Sequence, residues 1–248
     1  MKKAGAAERN VFHKVTVEDF ARSFGITPKD ISKTCRGLIS KMDFRYKIIE
    51  GAERDKIILD VLRRMNSDRQ VIGAPERHQA WESGWAENLK TFINAKYDLK
   101  ALYPKFIRPG QTIRFNGNYI SPANPNFELD YVTVFRQWFF KKYLSECDPV
   151  YEFGCGTGFN LAALAQLYPE KKLFGLDFVT SSVELVKKIG EVYKWKLTGR
   201  LFDMISPDEN FRLEKGGGVF TFGAVEQIAG KFEAFLQYLI KNAPAICL

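Results

Sequence analysis

VYEFGCGTG, residues 150–158, is the stretch that decides the fold of this 248-residue chain. Its first four residues form a short apolar run typical of a buried strand, and glycine then occupies every second position. Glycine adopts backbone dihedrals that other residues avoid, and it lets a ligand approach the main chain closely. The stretch therefore predicts a strand, a tight glycine turn and the start of a helix, whose N-terminus favours negatively charged groups.

The residues after this turn alternate between helical and strand patterns. Helices are predicted over 160–168, 182–192 and 231–241, and strands over 173–176, 197–202, 219–222 and 245–248. This alternation predicts a mainly parallel, doubly wound α/β sheet. Asp177 ends the second strand about 20 residues after the last glycine, where an acidic side chain can accept hydrogen bonds from ribose hydroxyls.

The segment from Val150 to Asp177 resembles the first two motifs of the class I S-adenosylmethionine (SAM)-dependent methyltransferases. The resemblance is carried by Glu152-x-Gly154-x-Gly156-x-Gly158 and by Gly175-Leu176-Asp177. It extends over about residues 148–248 and implies a Rossmann-like fold with SAM as the cofactor. The cofactor-binding residues that it implies are Glu152, Gly154, Cys155, Gly156, Thr157, Gly158, Asp177, Phe178, Phe202, Asp203, Met204 and Thr221.

The resemblance also implies a role for most of these residues. The three glycines line the methionine part and the ribose of SAM, Glu152 orients the loop and the amino group, and Asp177 holds the ribose. Asp203, after the third strand, contacts the adenine, with Phe202 and Met204 on either side of the ring.

Residues 221–227, after the fourth strand, correspond to the motif that faces the methyl group and the substrate. Methyl transfer needs mainly positioning and a deprotonated acceptor. Glu226 and His78 are the candidate bases, although Glu226 can equally be a surface residue at a helix start. The sequence Thr221-Phe222-Gly223-Ala224 lacks the Asp/Asn-Pro-Pro-aromatic signature of enzymes that methylate amino groups of nucleic acids. A small-molecule or sugar-like acceptor is therefore predicted, with the methylated atom left open.

Two other interpretations of the glycine turn remain. A nicotinamide or flavin dinucleotide fold requires Gly-x-Gly-x-x-Gly, and the position of its third glycine is Phe159 here. The glycines can also do no more than make a tight turn, but Asp177 after the next strand argues for a cofactor. The spacing and Glu152 together favour the methyltransferase pattern.

Residues 1–102 read as a helical cap. A helix over 53–65 carries Ile57, Ile58, Val61 and Leu62 at the spacing of a buried stripe, and a helix after Pro75 carries Trp81, Trp85, Leu89 and Phe92. The segment 19–39 also resembles a helix-turn-helix, which would bind DNA. The two tryptophans pack between helices or, with Arg114 and Tyr119, shape an acceptor pocket.

Residues 103–126 contain several prolines and glycines, so they predict a linker or a loop that covers a cleft. Residues 127–248 are the predicted SAM-binding domain. The family sheet has seven strands and this chain ends as the fifth begins, so the C-terminal strands are expected to be missing and the chain to be truncated.

The net charge of +8 lies before the glycine turn, because residues 1–140 hold 24 Lys and Arg against 16 Asp and Glu. This excess indicates either solvated helix faces or attraction of an acidic substrate or nucleic acid, and it motivates the alternative of a non-catalytic module that binds a partner or nucleic acid. Four scattered cysteines and two histidines predict no metal site and a reducing cytoplasm. Without an apolar run of about 18 residues, no membrane span is expected. The oligomeric state stays open.

Overall fold

The computed structural model describes residues 11–67 and 77–248. The chain divides into two compact units, of which unit 1 comprises Met1–Ser67 with Phe106–Trp138, and unit 2 comprises Asp68–Lys105 with Phe139–Leu248. Pro75, the predicted start of a helix, and residues 1–10 of the predicted cap lie outside the described residues. Across the described ranges, none of the helices combines the length and apolar character needed to span a bilayer.

The helices and strands of the described residues follow one another along the chain. In order they are β1 (His13–Lys14), α1 (Val17–Ser23), α2 (Lys33–Lys41), β2 (Arg45–Ile48), α3 (Gly51–Ser67), α4 (Arg77–Asn94), β3 (Ile113–Phe115), β4 (Asn118–Pro122), α5 (Phe127–Tyr143), β5 (Val150–Phe153), α6 (Phe159–Leu167), β6 (Leu173–Asp177), α7 (Thr180–Tyr193), β7 (Leu197–Leu201), β8 (Gly218–Phe220), α8 (Glu233–Asn242) and β9 (Ile246–Cys247). Short 3-10 helices occupy Pro28–Asp30, Leu99–Leu102 and Val225–Lys231.

Unit 1 contains an antiparallel sheet with strand order β1-β2-β4-β3 in the part of the chain that is described. Its core is aromatic, with Phe20 and Phe44 fully buried and their ring centroids 5.1 Å apart. Such edge-to-face pairs add about 0.5–1.5 kcal/mol to the free energy of area burial. Residues 24–32, including a 3-10 turn, separate α1 from α2, which is longer than the turn of a helix-turn-helix.

A purely helical cap and a linker over 103–126 were predicted, and the structure differs from both predictions. Residues 113–122 form a hairpin whose second strand pairs with β2, with Tyr46 opposite Pro122. Asn116 and Gly117 turn the chain with φ of 48° and 81°. The predicted boundaries at residues 102 and 126 are also crossed, since α4 belongs to unit 2 and the hairpin to unit 1.

The helix α3 is confirmed, but the predicted burial of its apolar stripe is wrong. Ile58, Val61 and Leu62 are 38%, 38% and 53% exposed, and Met65 is 71% exposed. The spacing defines a common face, but it does not say whether another element covers that face.

Unit 2 contains the predicted parallel sheet. Within the described residues its strand order is β7-β6-β5-β8-β9, and every neighbouring pair is parallel. The strand order reverses between β5 and β8. In open α/β sheets, ligands bind beyond the carboxyl ends of the strands at such a switch point. The fold is therefore a Rossmann-like α/β sheet. In such a sheet, a ligand site is expected at the loops after β5 and β8.

The hydrophobic core of unit 2 lies beneath these two loops. Phe153, at the end of β5, is fully buried and its ring centroid lies 4.8 Å from that of Phe235 on α8. Burying such a side chain contributes about 1.5–3 kcal/mol. The end of β5, where the glycine loop begins, is thus held firmly in the sheet.

Candidate functional site

The glycine loop joins β5 to α6, and all three of its glycines have left-handed backbone dihedrals. The φ values of Gly154, Gly156 and Gly158 are 72°, 52° and 71°. Other L-residues pay about 1–2 kcal/mol for this conformation. The loop therefore requires glycine three times over, as the sequence predicted from its spacing.

Each glycine also lies against a different element of unit 2. A Cβ added at Gly154 would lie 2.2 Å from the Cβ of Ala224, after β8. One at Gly156 would lie 3.0 Å from Cζ2 of Trp85 on α4, and one at Gly158 would lie 3.1 Å from Cδ1 of Ile189 on α7. The loop is consequently the point at which three elements converge.

Asp177 lies directly beside the loop, at the end of β6. Its buried carboxylate accepts hydrogen bonds from the backbone N–H groups of Gly156 (2.9 Å) and Val179 (3.3 Å). Burial raises the pKa of the Asp177 carboxyl above its usual value, and these two hydrogen bonds act in the opposite direction. The side chain thus shapes the loop, and its predicted contact with a ribose remains a prediction.

Glu152 is buried within β5, two residues before the first glycine. Its Oε1 atom accepts a hydrogen bond of 2.8 Å from Nδ2 of Asn160 on α6. The carboxylate therefore ties the strand to the helix on either side of the loop, consistent with an orienting role.

Two loop residues turn their side chains into the protein. The Cys155 thiol lies 3.5 Å from Oγ of Ser182 on α7, and the Thr157 hydroxyl donates to the carbonyl of Leu102 at 2.7 Å. Burial is the main cause that raises the pKa of the Cys155 thiol well above its ordinary value. The side chains of both residues are therefore engaged within the protein, and their predicted contact with a cofactor remains a prediction.

The residues predicted to surround an adenine have different environments. Phe202 lies in the hydrophobic core, its ring centroid 4.9 Å from that of Phe153. Met204 is buried and its Cε atom lies 3.8 Å from a Cβ built on Gly154. Asp203 is exposed, and its Oδ1 atom accepts from the backbone N–H of Ile205 at 2.8 Å. Met204 is thus the member of this group that the structure brings to the loop.

Phe178 directly follows Asp177 in the sequence and lies against His78. Phe178, which follows β6, is 39% exposed, and its ring meets that of His78 on α4 edge to face at 5.3 Å. The histidine proposed as a base is therefore in contact with a predicted cofactor residue. Its predicted catalytic role remains a prediction.

The segment after β8 carries buried polar atoms without partners. Among the described residues, Oγ1 of Thr221 and Oε1 of Gln227 are buried with no hydrogen-bond partner. Leaving such a group unsatisfied costs about 1–3 kcal/mol, so each calls for an explanation. Glu226, the candidate base between them, is exposed in the 3-10 helix. Both atoms lie in the segment that follows β8, one of the two strands at the switch point of the sheet.

Glu82 on α4, which no sequence pattern indicated, joins that helix to the start of α7. Its carboxylate accepts from the backbone N–H groups of Thr180 (2.8 Å) and Ser181 (2.9 Å), the first two residues of α7. Ser181 also donates from its hydroxyl to the Glu82 carbonyl at 2.8 Å. A carboxylate at a helix N-terminus satisfies free N–H groups and the helix dipole. This pairing joins residues nearly one hundred positions apart, so no local pattern indicated it.

Trp81 and Trp85 lie on the same helix as Glu82, with their rings stacked at 5.4 Å. Both are half-buried, and Trp85 contacts the glycine loop as described above. Arg114 and Tyr119, grouped with them as possible acceptor-pocket residues, instead line a cavity within unit 1. The tryptophans were interpreted as packing residues, and Trp85 packs against the glycine loop as well.

No protein-family model and no curated protein sequence matches the chain. Several solved structures do. Coclaurine N-methyltransferase bound to N-methylheliamine and SAH is 13% identical, over 67% of this chain and 50% of that one, with a TM-score of 0.37. Geranyl diphosphate C-methyltransferase from Streptomyces coelicolor A3(2) is 11% identical over 67% and 63%, also with a TM-score of 0.37.

The 16S rRNA methylase RmtB is 14% identical over 91% of this chain and 81% of that one, again with a TM-score of 0.37. The chain spans less than two thirds of the first two of these three proteins. At these identities and TM-scores the likenesses are distant, and the function proposed below depends on the site geometry. The solved structures to which this chain is similar are class I SAM-dependent methyltransferases, the family whose motifs its sequence resembles.

Proposed function

We propose that this protein is a SAM-dependent methyltransferase that acts on a small-molecule or sugar-like acceptor. The observation that carries the proposal is the loop of three left-handed glycines at the switch point of a parallel sheet. Glu152 precedes that loop and Asp177 accepts a hydrogen bond from its Gly156 N–H, and both residues belong to the methyltransferase motifs that the sequence resembles.

The residues present fit such a cofactor. The Oγ1 atom of Thr221, which follows β8, is buried without a hydrogen-bond partner among the described residues, and a bound cofactor would supply one. The backbone of residues 154–158 would hold the methionine part, Asp177 the ribose, and Asp203 with Met204 the adenine. When bound, SAM supplies an activated methyl group on a sulfonium.

The chain's own residues would then position the acceptor and accept its proton. Glu226 is the proposed base, because its carboxylate is exposed in the segment that follows β8. Thr221-Phe222-Gly223-Ala224 supports an acceptor other than the amino group of a nucleic-acid base, since it lacks the signature of enzymes with that specificity.

The experiment that tests the proposal is calorimetric titration with SAM and with S-adenosylhomocysteine. We expect the wild-type protein to bind both and Asp177→Asn to bind at least about tenfold more weakly, since it loses a charged acceptor beside the loop. Asp208→Asn is the matched control, because Asp208 is an exposed carboxylate that pairs with Arg200. Thermal melting of each variant separates a lost site from a lost fold. A wild-type protein that binds neither compound would falsify the proposal.

A second candidate is a non-catalytic module that binds a partner or nucleic acid. The observation that favours it is that residues 1–67 and 106–138 hold 18 Lys and Arg against 11 Asp and Glu. Binding of duplex DNA or RNA that weakens steeply with salt, without binding of SAM, is the outcome this alternative requires.

A further inference from the structure

The apolar face of α3 is an exposed hydrophobic surface of unit 1. Ile58, Val61, Leu62 and Met65 recur at three- and four-residue steps, so they project from one side of the helix. All four are more than one third exposed in the part of the chain that the structure describes. A continuous apolar stripe of this kind usually marks a contact surface or a binding site.

This face forms one wall of a cavity of about 480 Å³. The opposite wall comes from the end of β2 and from the β3–β4 hairpin, through Ile48, Tyr119 and Arg114. Every lining residue belongs to unit 1. Sites for small molecules typically enclose roughly 300–1,000 Å³, lined by apolar side chains with a few polar groups. The cavity has the size of such a site, and it combines the apolar side chains of α3 with several polar and charged groups.

The charged side chains that line the cavity differ in whether a group of opposite charge lies beside them. Arg54 forms an ion pair with Asp55 at 2.7 Å. Glu50 immediately precedes α3, where the helix dipole stabilises its negative charge. Arg114 is exposed on β3, opposite Tyr119 in the hairpin, and no acceptor for its guanidinium lies within hydrogen-bond distance among residues 11–67 and 77–248. The excess of basic residues in unit 1 adds to the positive potential at this position.

We propose that this cavity binds a small amphipathic anion. Its apolar chain or ring would lie along the stripe of α3, and its carboxylate, sulfonate or phosphate group would pair with Arg114. A guanidinium forms strong, charge-assisted hydrogen bonds with such groups, and the stripe gains from being removed from water. The proposal concerns unit 1 alone and does not depend on methyl transfer in unit 2.

The test is calorimetric titration of the full chain, without SAM, with monomeric sodium decanoate and with decanol. We expect decanoate to bind about tenfold or more tightly than decanol, because only decanoate pairs with Arg114. Arg114→Gln should remove that difference by weakening decanoate alone. Arg63→Gln is the matched control, since Arg63 is an exposed residue of α3 that does not line the cavity.

A second pair of variants tests the apolar wall. Leu62 and Leu59 are almost equally exposed on α3, at 53% and 52%, but only Leu62 lines the cavity. Leu62→Asp should abolish binding of both ligands, whereas Leu59→Asp should leave both affinities unchanged. Circular dichroism melting confirms that each variant is folded.

Three results would overturn the proposal. The first is equal effects of Leu62→Asp and Leu59→Asp, or of Arg114→Gln and Arg63→Gln. The second is binding to phosphatidylglycerol vesicles without binding of monomeric decanoate, which would indicate a membrane surface as the ligand. The third is a wild-type dimer in sedimentation that Leu62→Asp converts to a monomer, which would make the stripe an interface between two copies of the chain.

Discussion

The helices α3 and α4 are nearly equal in length and both carry apolar residues at helical spacing. They differ in that α4 buries apolar residues, whereas the apolar face of α3 is largely exposed. In unit 2, α4 buries Phe92 completely and lays Trp85 against the glycine loop. In unit 1, α3 leaves Leu62 and Met65 largely exposed. Helical periodicity therefore identifies a face, whereas the partner of that face depends on long-range packing. The same pattern therefore belongs to a helix that packs in the core of unit 2, which is α4, and to a helix that lines a candidate binding cavity in unit 1, which is α3.

The largest expected difference between the two helices comes from truncating their apolar side chains. Phe92→Ala on α4 should lower the free energy of unfolding by about 3–5 kcal/mol, because it opens a cavity in a packed core. Met65→Ala on α3 should change it by less than about 0.5 kcal/mol, since that side chain is mostly exposed. Chemical denaturation measures both. Equal losses would mean that α3 is covered in solution.

The next effect separates backbone strain from contact with α4. Gly156→Ala should cost about 1–2 kcal/mol for its left-handed backbone, and more for the methyl group that Trp85 crowds. Gly51→Ala, at the first residue of α3, has a φ of 57° but nothing within 4 Å, so it should show the backbone cost alone. Combining Gly156→Ala with Trp85→Ala should couple non-additively in denaturation experiments. Identical costs at both glycines would argue against the contact.

A smaller effect concerns the charges of the two helices. Glu82→Ala on α4 should lower stability by about 0.5–2 kcal/mol, as expected when a helix loses its cap. Hydrogen exchange at the amides of Thr180 and Ser181 should accelerate in the same variant. Asp60→Ala on α3 removes an exposed pair with Arg63 and should cost about 0–1 kcal/mol. Unchanged exchange at those two amides would contradict the role given to Glu82.

The smallest effect is expected on the exposed stripe itself. Leu62→Ser should alter the free energy of unfolding by no more than about 0.5 kcal/mol, because Leu62 is 53% exposed and packs little against the rest of the protein. Thermal or chemical denaturation at low protein concentration measures this change. A loss well above 1 kcal/mol would show that another part of the protein buries the stripe.

Much of unit 2 could be predicted because its determinants are local. The glycine spacing, the strand before it and Asp177 after the next strand all lie within about thirty residues, and they predicted the parallel sheet and the glycine turn. The hydrogen bond from the Gly156 N–H to Asp177 was not among these predictions, since the sequence assigned that carboxylate to a ribose. The environments of Phe202 and Glu82 could not be predicted in the same way. They depend on partners from α8 and α7 that only the folded chain brings together.

Unit 1 was predicted less well because its strands are short. Strands of two to five residues, such as β1 and β4, leave little alternation to detect, and the prolines near them suggested a linker. A local indication was nevertheless present at Asn116-Gly117, since that dipeptide favours the tight turns of hairpins. The exposure of α3 had no such indication, because sequence spacing is the same for covered and uncovered faces.

Because Cys155 is buried, the rate at which its thiol is alkylated reports on movement of the glycine loop. A thiol reacts with alkylating reagents as the thiolate, and burial both raises the pKa of Cys155 and blocks access to its sulfur. Its alkylation therefore has to wait for the loop to separate from Ser182, whereas Cys247 is exposed and needs no such event. Burial raises the pKa of the Cys247 thiol as well, so each rate is compared with and without a ligand. A ligand that binds the backbone of the loop should slow alkylation of Cys155 and leave that of Cys247 unchanged.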